Sequence, residues 1–160
     1  MVLLADQFTK ILAIRNLVET ESVALLGSFL QFNLVYNEGG ALGTNLASST
    51  YYLIASILIL LFVLYYIYLV RRDLGPAITL SFVAGGALGN IIDRLRLGRV
   101  VDFIDVDIPD VNLFGYHLER WWTFNIADSA ITCAIIALLI RVIFIRHSKP
   151  AESREATPQS

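Results

Sequence analysis

At 160 residues the chain has the length of one domain, yet 56% of it is apolar, only 16% is charged and the mean hydropathy is +0.66. Soluble domains carry about 25% charged residues, so the composition excludes an ordinary soluble fold and points to a bilayer protein. A net charge of −2 excludes a nucleic-acid footprint, and a single cysteine, Cys133, excludes an internal disulfide framework and a Cys-rich metal site.

Only Met1 to Ala5 precede Asp6, so the stretch before residue 10 is too short to cross a bilayer and has no signal-peptide pattern. Residues 22–45 alternate loosely and carry Asn, Gly and aromatics, which predicts short strands outside the hydrocarbon. Thr50 to Val70 holds 21 uncharged residues, about 31 Å as a helix against a hydrocarbon core of about 30 Å. Pro76 to Ile92 is a second uncharged stretch, rich in small residues. Its Gly85 and Gly89 form the G-x-x-x-G spacing that lets helices approach closely in lipid. Phe124 to Ile140 is a third span, with Asp128 its only charge and Trp121 and Trp122 at its interfacial end. The expected organisation is one membrane-embedded domain over 1–146 and a disordered polar tail over 147–160.

If the three spans alternate in direction, the start of the first, the end of the second and the start of the third share one membrane face. Asn37, Asp93, Asp102, Asn125 and Asp128 then converge there, with Arg71 and Arg72 opposite. The 12 Lys and Arg residues divide evenly between the faces, so charge bias leaves the orientation open.

Two segments repeat one pattern, Asn90-Ile-Ile-Asp93 and Asn125-Ile-Ala-Asp128. Residues three apart lie on one helix face, so each helix presents an amide and a carboxylate. A carboxylate within a span costs at least about 2.5–3.5 kcal/mol at mid-bilayer and is a functional candidate; a structural polar clamp is the plain alternative. Asp102, just past the second span, pairs naturally with Asp128. Two close carboxylates share one proton, which suits aspartyl proteolysis and equally suits a proton or cation pathway. Other candidates carry less. Asp105, Asp107 and Asp110 lack the Gly and terminal Glu of a cation loop and are expected in a solvated acidic loop. His117 and His147 fall on opposite sides of the third span and cannot share a metal. Cys133 is expected to be a small packing residue. No serine lies in a G-x-S-x-G context. Arg94 either snorkels to the interface or meets a carboxylate.

Four blocks resemble the lipoprotein signal peptidase (signal peptidase II) family: Asp6-Gln-Phe-Thr-Lys10, Asn37-Glu-Gly-Gly-Ala-Leu42, Gly85-Gly-Ala-Leu-Gly-Asn-Ile-Ile-Asp-Arg94 continuing to Val100-Val-Asp-Phe103, and Phe124-Asn-Ile-Ala-Asp-Ser-Ala-Ile131. The resemblance implies an all-α membrane protein. This would be a four-transmembrane-helix bundle, its first helix truncated here, with a small extracytoplasmic β-cradle and loop. It implies an inner-membrane aspartic endopeptidase, active near the extracytoplasmic face, that cuts prolipoproteins before their diacylglyceryl-modified cysteine. By match, Asp102 and Asp128 would be the catalytic pair. Asn90, Asp93, Arg94 and Asn125 would hold that pair and the substrate backbone, while Asn37, Gly39, Asp6 and Lys10 match further family positions. The resemblance implies no metal or cofactor, a monomer, and inhibition by globomycin-type compounds. It departs from the family pattern at Gly40 and Leu42 and in a longer stretch over 105–120. The alternatives are an ion-pathway protein using the same carboxylates, predicting flux without cleavage, and an inactive lipid-binding homologue, predicting binding without turnover.

Overall fold

A computed structural model describes residues 1–39, 48–113, 116–120 and 122–147. In chain order the elements are helix α1 (Val2–Asn16), strands β1 (Ser22–Leu26) and β2 (Leu30–Asn37), helices α2 (Ser49–Val70) and α3 (Leu74–Leu97), strands β3 (Val100–Leu113) and β4 (Tyr116–Arg120), and helix α4 (Ile126–His147). Among the described residues, α2, α3 and the 126–144 part of α4 are long and apolar enough to cross a membrane. Helix α1 has 15 residues, about 22 Å, short of a full hydrocarbon core.

The three spans differ in what they bury. Helix α2 is almost wholly outward-facing, with only Leu60 and Val63 buried, as suits a helix whose solvent is acyl chain. Helix α3 is the central element, and its small residues are the reason. A Cβ on Gly85 would meet Val2 Cβ at 3.1 Å, one on Gly89 would run into the Asp6 carboxylate, and one on Gly86 would meet the Ala127 carbonyl oxygen at 2.6 Å. The expected Gly85/Gly89 spacing therefore seats α1, while Gly86, which the motif does not include, seats α4. Leu80, Val83, Ala84, Ala87 and Ile91 of α3 pack with Leu60, Val63 and Ala134 into one apolar core.

Helix α3 stops where its last turn can be closed. Gly98 takes the left-handed conformation at φ 72° and returns its N–H to the Arg94 carbonyl, a terminator open to glycine at little steric cost. The Ser49 hydroxyl donates to the Gly98 carbonyl, tying the start of α2 to the end of α3. At the other end Arg141 pairs with Asp73 at 2.6 Å; both are well exposed, so the bridge is worth at most about 1 kcal/mol. The alternating directions expected from span parity are thus present.

The strands form one antiparallel sheet in the order β1-β2-β3-β4. Asn37 faces Val100 and Val35 faces Asp102 across the β2–β3 ladder, so the register sets the end of β2 beside the root of β3. Phe103 and Ile104 donate backbone N–H groups to the Phe124 carbonyl at 3.1 and 2.8 Å, which moors the sheet to the start of α4. A second apolar core, Ala13, Leu34, Val101 and Phe103, lies between the sheet and the end of α1, with Phe32 edge-on to Phe103 at 5.8 Å.

Two expectations are corrected. The stretch 105–120 is not a solvated acidic loop: β3 runs through it to Leu113 and pairs back onto β4, and Asp105 is buried at 6% exposure. Asp102, Asp105, Asp107 and Asp110 follow one another at spacings of three, two and three, which breaks the period-two alternation that would mark a strand. Cys133 does not pack inward but is exposed, because the buried stripe of α4 runs through Ala127, Ile131 and Ala134. Strands fill residues 22–26 and 30–37 of the expected 22–45 region. The rest of that region over 40–45, with Gly40 and Leu42, and the tail over 148–160 lie outside the described residues, as do Trp121 and the side chains of Asp110, His117 and His147.

Candidate active site

Helix α1, the end of β2, the last turns of α3, the root of β3 and the start of α4 each contribute a polar group to one buried cluster. Helix α4 opens with a capping box: the Asp128 N–H donates to Asn125 Oδ1 at 2.9 Å, and the Asn125 N–H donates to Asp128 Oδ2 at 3.3 Å. This places Asp128 in the first helical turn, where the helix dipole favours a carboxylate. It also fixes the Asn125 amide. With its oxygen engaged by a helix-start N–H, its nitrogen is turned outward and donates to Asp102 Oδ1 at 2.7 Å. Asn125 is fully buried and Asp102 is 2% exposed.

Asp102 receives a second donor from the opposite side. Asn37 donates through Nδ2 to Asp102 Oδ2 at 3.0 Å, while its own oxygen accepts the Gly39 N–H at 2.9 Å. Asn90 completes the set, donating to Asp128 Oδ1 at 2.8 Å. Both carboxylates are thus held by amide donors, with Asn125 bridging them. Burial, and then the facing Asp128 carboxylate, push the Asp102 carboxyl up from the ordinary carboxylate range to about 7, while the donors Asn37 and Asn125 act in the opposite sense.

Beneath the pair lies a buried ionic cluster. Lys10 Nζ stands 3.0 Å from Asp6 Oδ2 and 2.8 Å from Asp93 Oδ2; Asp6, Lys10 and Asp93 are each at most 3% exposed. Asp6 Oδ1 accepts the Ala127 N–H at 3.0 Å, and Asp93 Oδ2 accepts the Val101 N–H at 3.2 Å. The cluster therefore clamps α1, α3, α4 and β3 together. Buried carboxylates and an ammonium persist only when paired and hydrogen-bonded in this way. Arg94 does not snorkel outward: its Nη2 donates to the Gly39 carbonyl at 3.0 Å, and its charge faces Asp128, Asp102 and Asp93.

All ten residues singled out from the sequence fall in or against this cluster. Gln7, outside the ten, donates to Asp6 Oδ2, the Gly89 carbonyl and Asp93 Oδ1 at 3.0–3.2 Å. Its place beside Asp6 in the first block was the available signal. Ala127 is likewise outside the ten, yet its fully buried backbone N–H anchors Asp6; an alanine offers no side-chain chemistry to flag it.

The family model described as "Signal peptidase (SPase) II" matches residues 1–144. The chain belongs to the signal peptidase II family. Relatives include the lipoprotein signal peptidase of Chlorobium phaeobacteroides (strain BS1), 44% identical over 143 residues that cover 88% of this chain and 89% of the relative. That of Pelodictyon phaeoclathratiforme (strain DSM 5477 / BU-1) is 36% identical over 98% of this chain and 92% of its own length. Two solved structures described as bacterial membrane enzymes superpose on the fold. One has a TM-score of 0.78 at 31% identity, covering 96% of this chain and 90% of the other; the second has 0.71 at 33%, covering 89% and 87%. With its three apolar helices, this signal peptidase II is a multi-pass membrane protease.

Proposed function

We propose that this signal peptidase II is an aspartic endopeptidase that frees diacylglyceryl-modified prolipoproteins from their signal peptides by cutting before the modified cysteine. The observation that carries the reading is the buried Asp102–Asp128 pair, bridged by Asn125, at the start of a membrane-spanning helix. Of the two carboxyls, one holds the shared proton. The ionised carboxylate takes a proton from water, whose oxygen attacks the scissile carbonyl carbon. The protonated carboxyl gives its proton to the carbonyl oxygen, forming a neutral tetrahedral diol. Collapse of the diol breaks the C–N bond, with a proton passed to the departing amine nitrogen, and the pair returns to its single-proton state. Asn37, Asn90 and Asn125 hold the two carboxyls in place, and Arg94 braces the Gly39 carbonyl beside them.

The position of Asp128 in the first turn of α4 supports a cut at the membrane boundary, close to a lipid-anchored cysteine. Each buried acyl CH₂ contributes about 0.8 kcal/mol to membrane partitioning, so the diacylglyceryl group concentrates the substrate at that depth. In this reading the site faces the extracytoplasmic side of the bacterial inner membrane, the enzyme works as a monomer, and globomycin-type compounds inhibit it. The test is incubation of the purified protein in detergent with diacylglyceryl-modified and unmodified prolipoprotein, read by gel shift and by the mass of the product. Cleavage of the modified substrate alone, before the cysteine, is expected; equal cleavage of both, or of neither, defeats the proposal.

The Asp102 carboxyl gives the pH dependence a definite sign. The shared proton is lost as pH rises past about 7, so kcat is expected to fall on that alkaline limb. Asn37 stabilises the ionised form through its bond to Asp102 Oδ2. Asn37→Ala removes that donor, raises the pKa, and is expected to move the alkaline limb to higher pH. A limb that stays in place or moves down in a kcat–pH profile overturns this assignment.

A further inference from the structure

The three amides that hold the carboxyl pair share one construction. Each has its oxygen engaged by a donor that cannot accept, which forces its NH₂ toward a carboxylate. For Asn37 that donor is the Gly39 N–H, and for Asn125 the Asp128 N–H. For Asn90 it is the Lys10 ammonium, at 2.8 Å from Oδ1. Two of the three orienting donors are backbone groups; the third is a side chain from α1.

We propose that Lys10 is a positioning residue for the signal peptidase reaction, fixing the Asn90 amide so that its NH₂ faces Asp128; this rests on the reading of Asp102 and Asp128 as the catalytic pair. An ammonium has three N–H bonds and no acceptor. Lys10 directs them to three oxygens, on Asp6, Asp93 and Asn90, so Asn90 must present its oxygen to Lys10 and its nitrogen to Asp128 Oδ1. The other donor to Asn90 Oδ1, Asn125 Nδ2 at 3.1 Å, also serves Asp102 Oδ1 at 2.7 Å. It is the weaker anchor of the two. Without the ammonium the Asn90 amide is free to turn over, which sets a carbonyl oxygen against the Asp128 carboxyl and misplaces it for proton exchange.

The experiment is a double-mutant cycle on cleavage of diacylglyceryl-modified prolipoprotein, with kcat and KM measured separately and melting temperature as the check on folding. Asn90→Ala is expected to lower kcat on the order of 10²-fold, the loss typical of one preorganised donor. Lys10→Met is expected to lower kcat by about 10- to 100-fold with KM within about twofold, since it acts through that same donor. The combined variant is then no slower than Asn90→Ala alone. Losses that multiply, or a Lys10→Met enzyme with the parental kcat, overturn the proposal. If Lys10→Met alone does not fold, because Asp6 and Asp93 are left facing each other, the cycle runs on Lys10→Met/Asp6→Asn, which removes one charge of each sign. A charge-matched variant that also fails to fold overturns the proposal, because Lys10 then serves the fold and not the amide. Failure of the protease reading is seen separately, as an uncut substrate with the parent chain before any variant is compared.

Discussion

Asp102→Asn and Asp128→Asn are each expected to reduce cleavage of diacylglyceryl-modified prolipoprotein on the order of 10⁴-fold or more, while the protein still inserts and binds substrate. The size follows from the proposed roles: in them one carboxyl takes a proton from water and the other gives one up, and an amide does neither. Groups that act as a unit fail as a unit, so the double variant should be no slower than the worse single. Asn is close to Asp in shape and keeps one acceptor oxygen for the surrounding donors, while its NH₂ faces the other donor unpaired. An independent readout accompanies Asp102→Asn. A carboxyl raised to about 7 binds its proton more tightly in the folded state than in the unfolded one. Its contribution to stability is therefore complete below the ordinary carboxylate range and lost as pH rises through about 7. The parent is expected to lose melting temperature across that window, and Asp102→Asn to lose less. Variants that retain cleavage within tenfold of the parent would remove the pair from the mechanism.

Gly86→Ala is expected to cost about 1–3 kcal/mol, the range for one extra methyl in a filled contact, and to lower activity with it. Its Cβ would meet the Ala127 carbonyl at 2.6 Å and Ile131 Cγ1 at 2.8 Å. A backbone carbonyl cannot rotate aside, so α3 and α4 must separate. That separation also stretches the bond from Asn90 to Asp128, which crosses the same interface. Gly85→Ala is the comparison: its Cβ would meet Val2 Cβ at 3.1 Å, a longer contact to a side chain that asks a shift of only a few tenths of an ångström. Thermal melts in detergent, run beside the cleavage assay, check both. Equal melting temperatures for the two variants would show that the α3–α4 contact is less tight than this geometry requires.

The sequence by itself determined the membrane character, the three long spans and the shared face of the polar residues, because these depend on local quantities. A run of uncharged residues must find hydrocarbon, and consecutive spans must alternate. Asn and Asp three apart on a helix declare one face wherever that helix ends up. The Gly98 terminator and the capping box at Asn125 are likewise local, each satisfied within a few residues. The four blocks of family likeness, read from residue types and their order, named ten of the residues that the structure gathers, with Gln7 and Ala127 left out.

What only the tertiary structure decided is which groups touch. The pairing of 105–113 and 116–120 as strands and not loop depends on partners elsewhere, on Gln31 across from Asp105 and on β3 and β4 meeting each other. Acidic residues at uneven spacings, Asp102, Asp105, Asp107 and Asp110, conceal such a strand in any single-chain reading. Gly86 looks like one more small residue until Ala127 is seen to lie against it. The orientation of the three amides is the least legible feature of all. An asparagine side chain has the same composition either way round; only the donor behind it, a backbone N–H for Asn37 and Asn125 and the Lys10 ammonium for Asn90, determines which end faces the carboxyl pair. Lys10 and Asn90 are 80 residues apart in the chain, and no local rule of propensity or periodicity reaches across that separation.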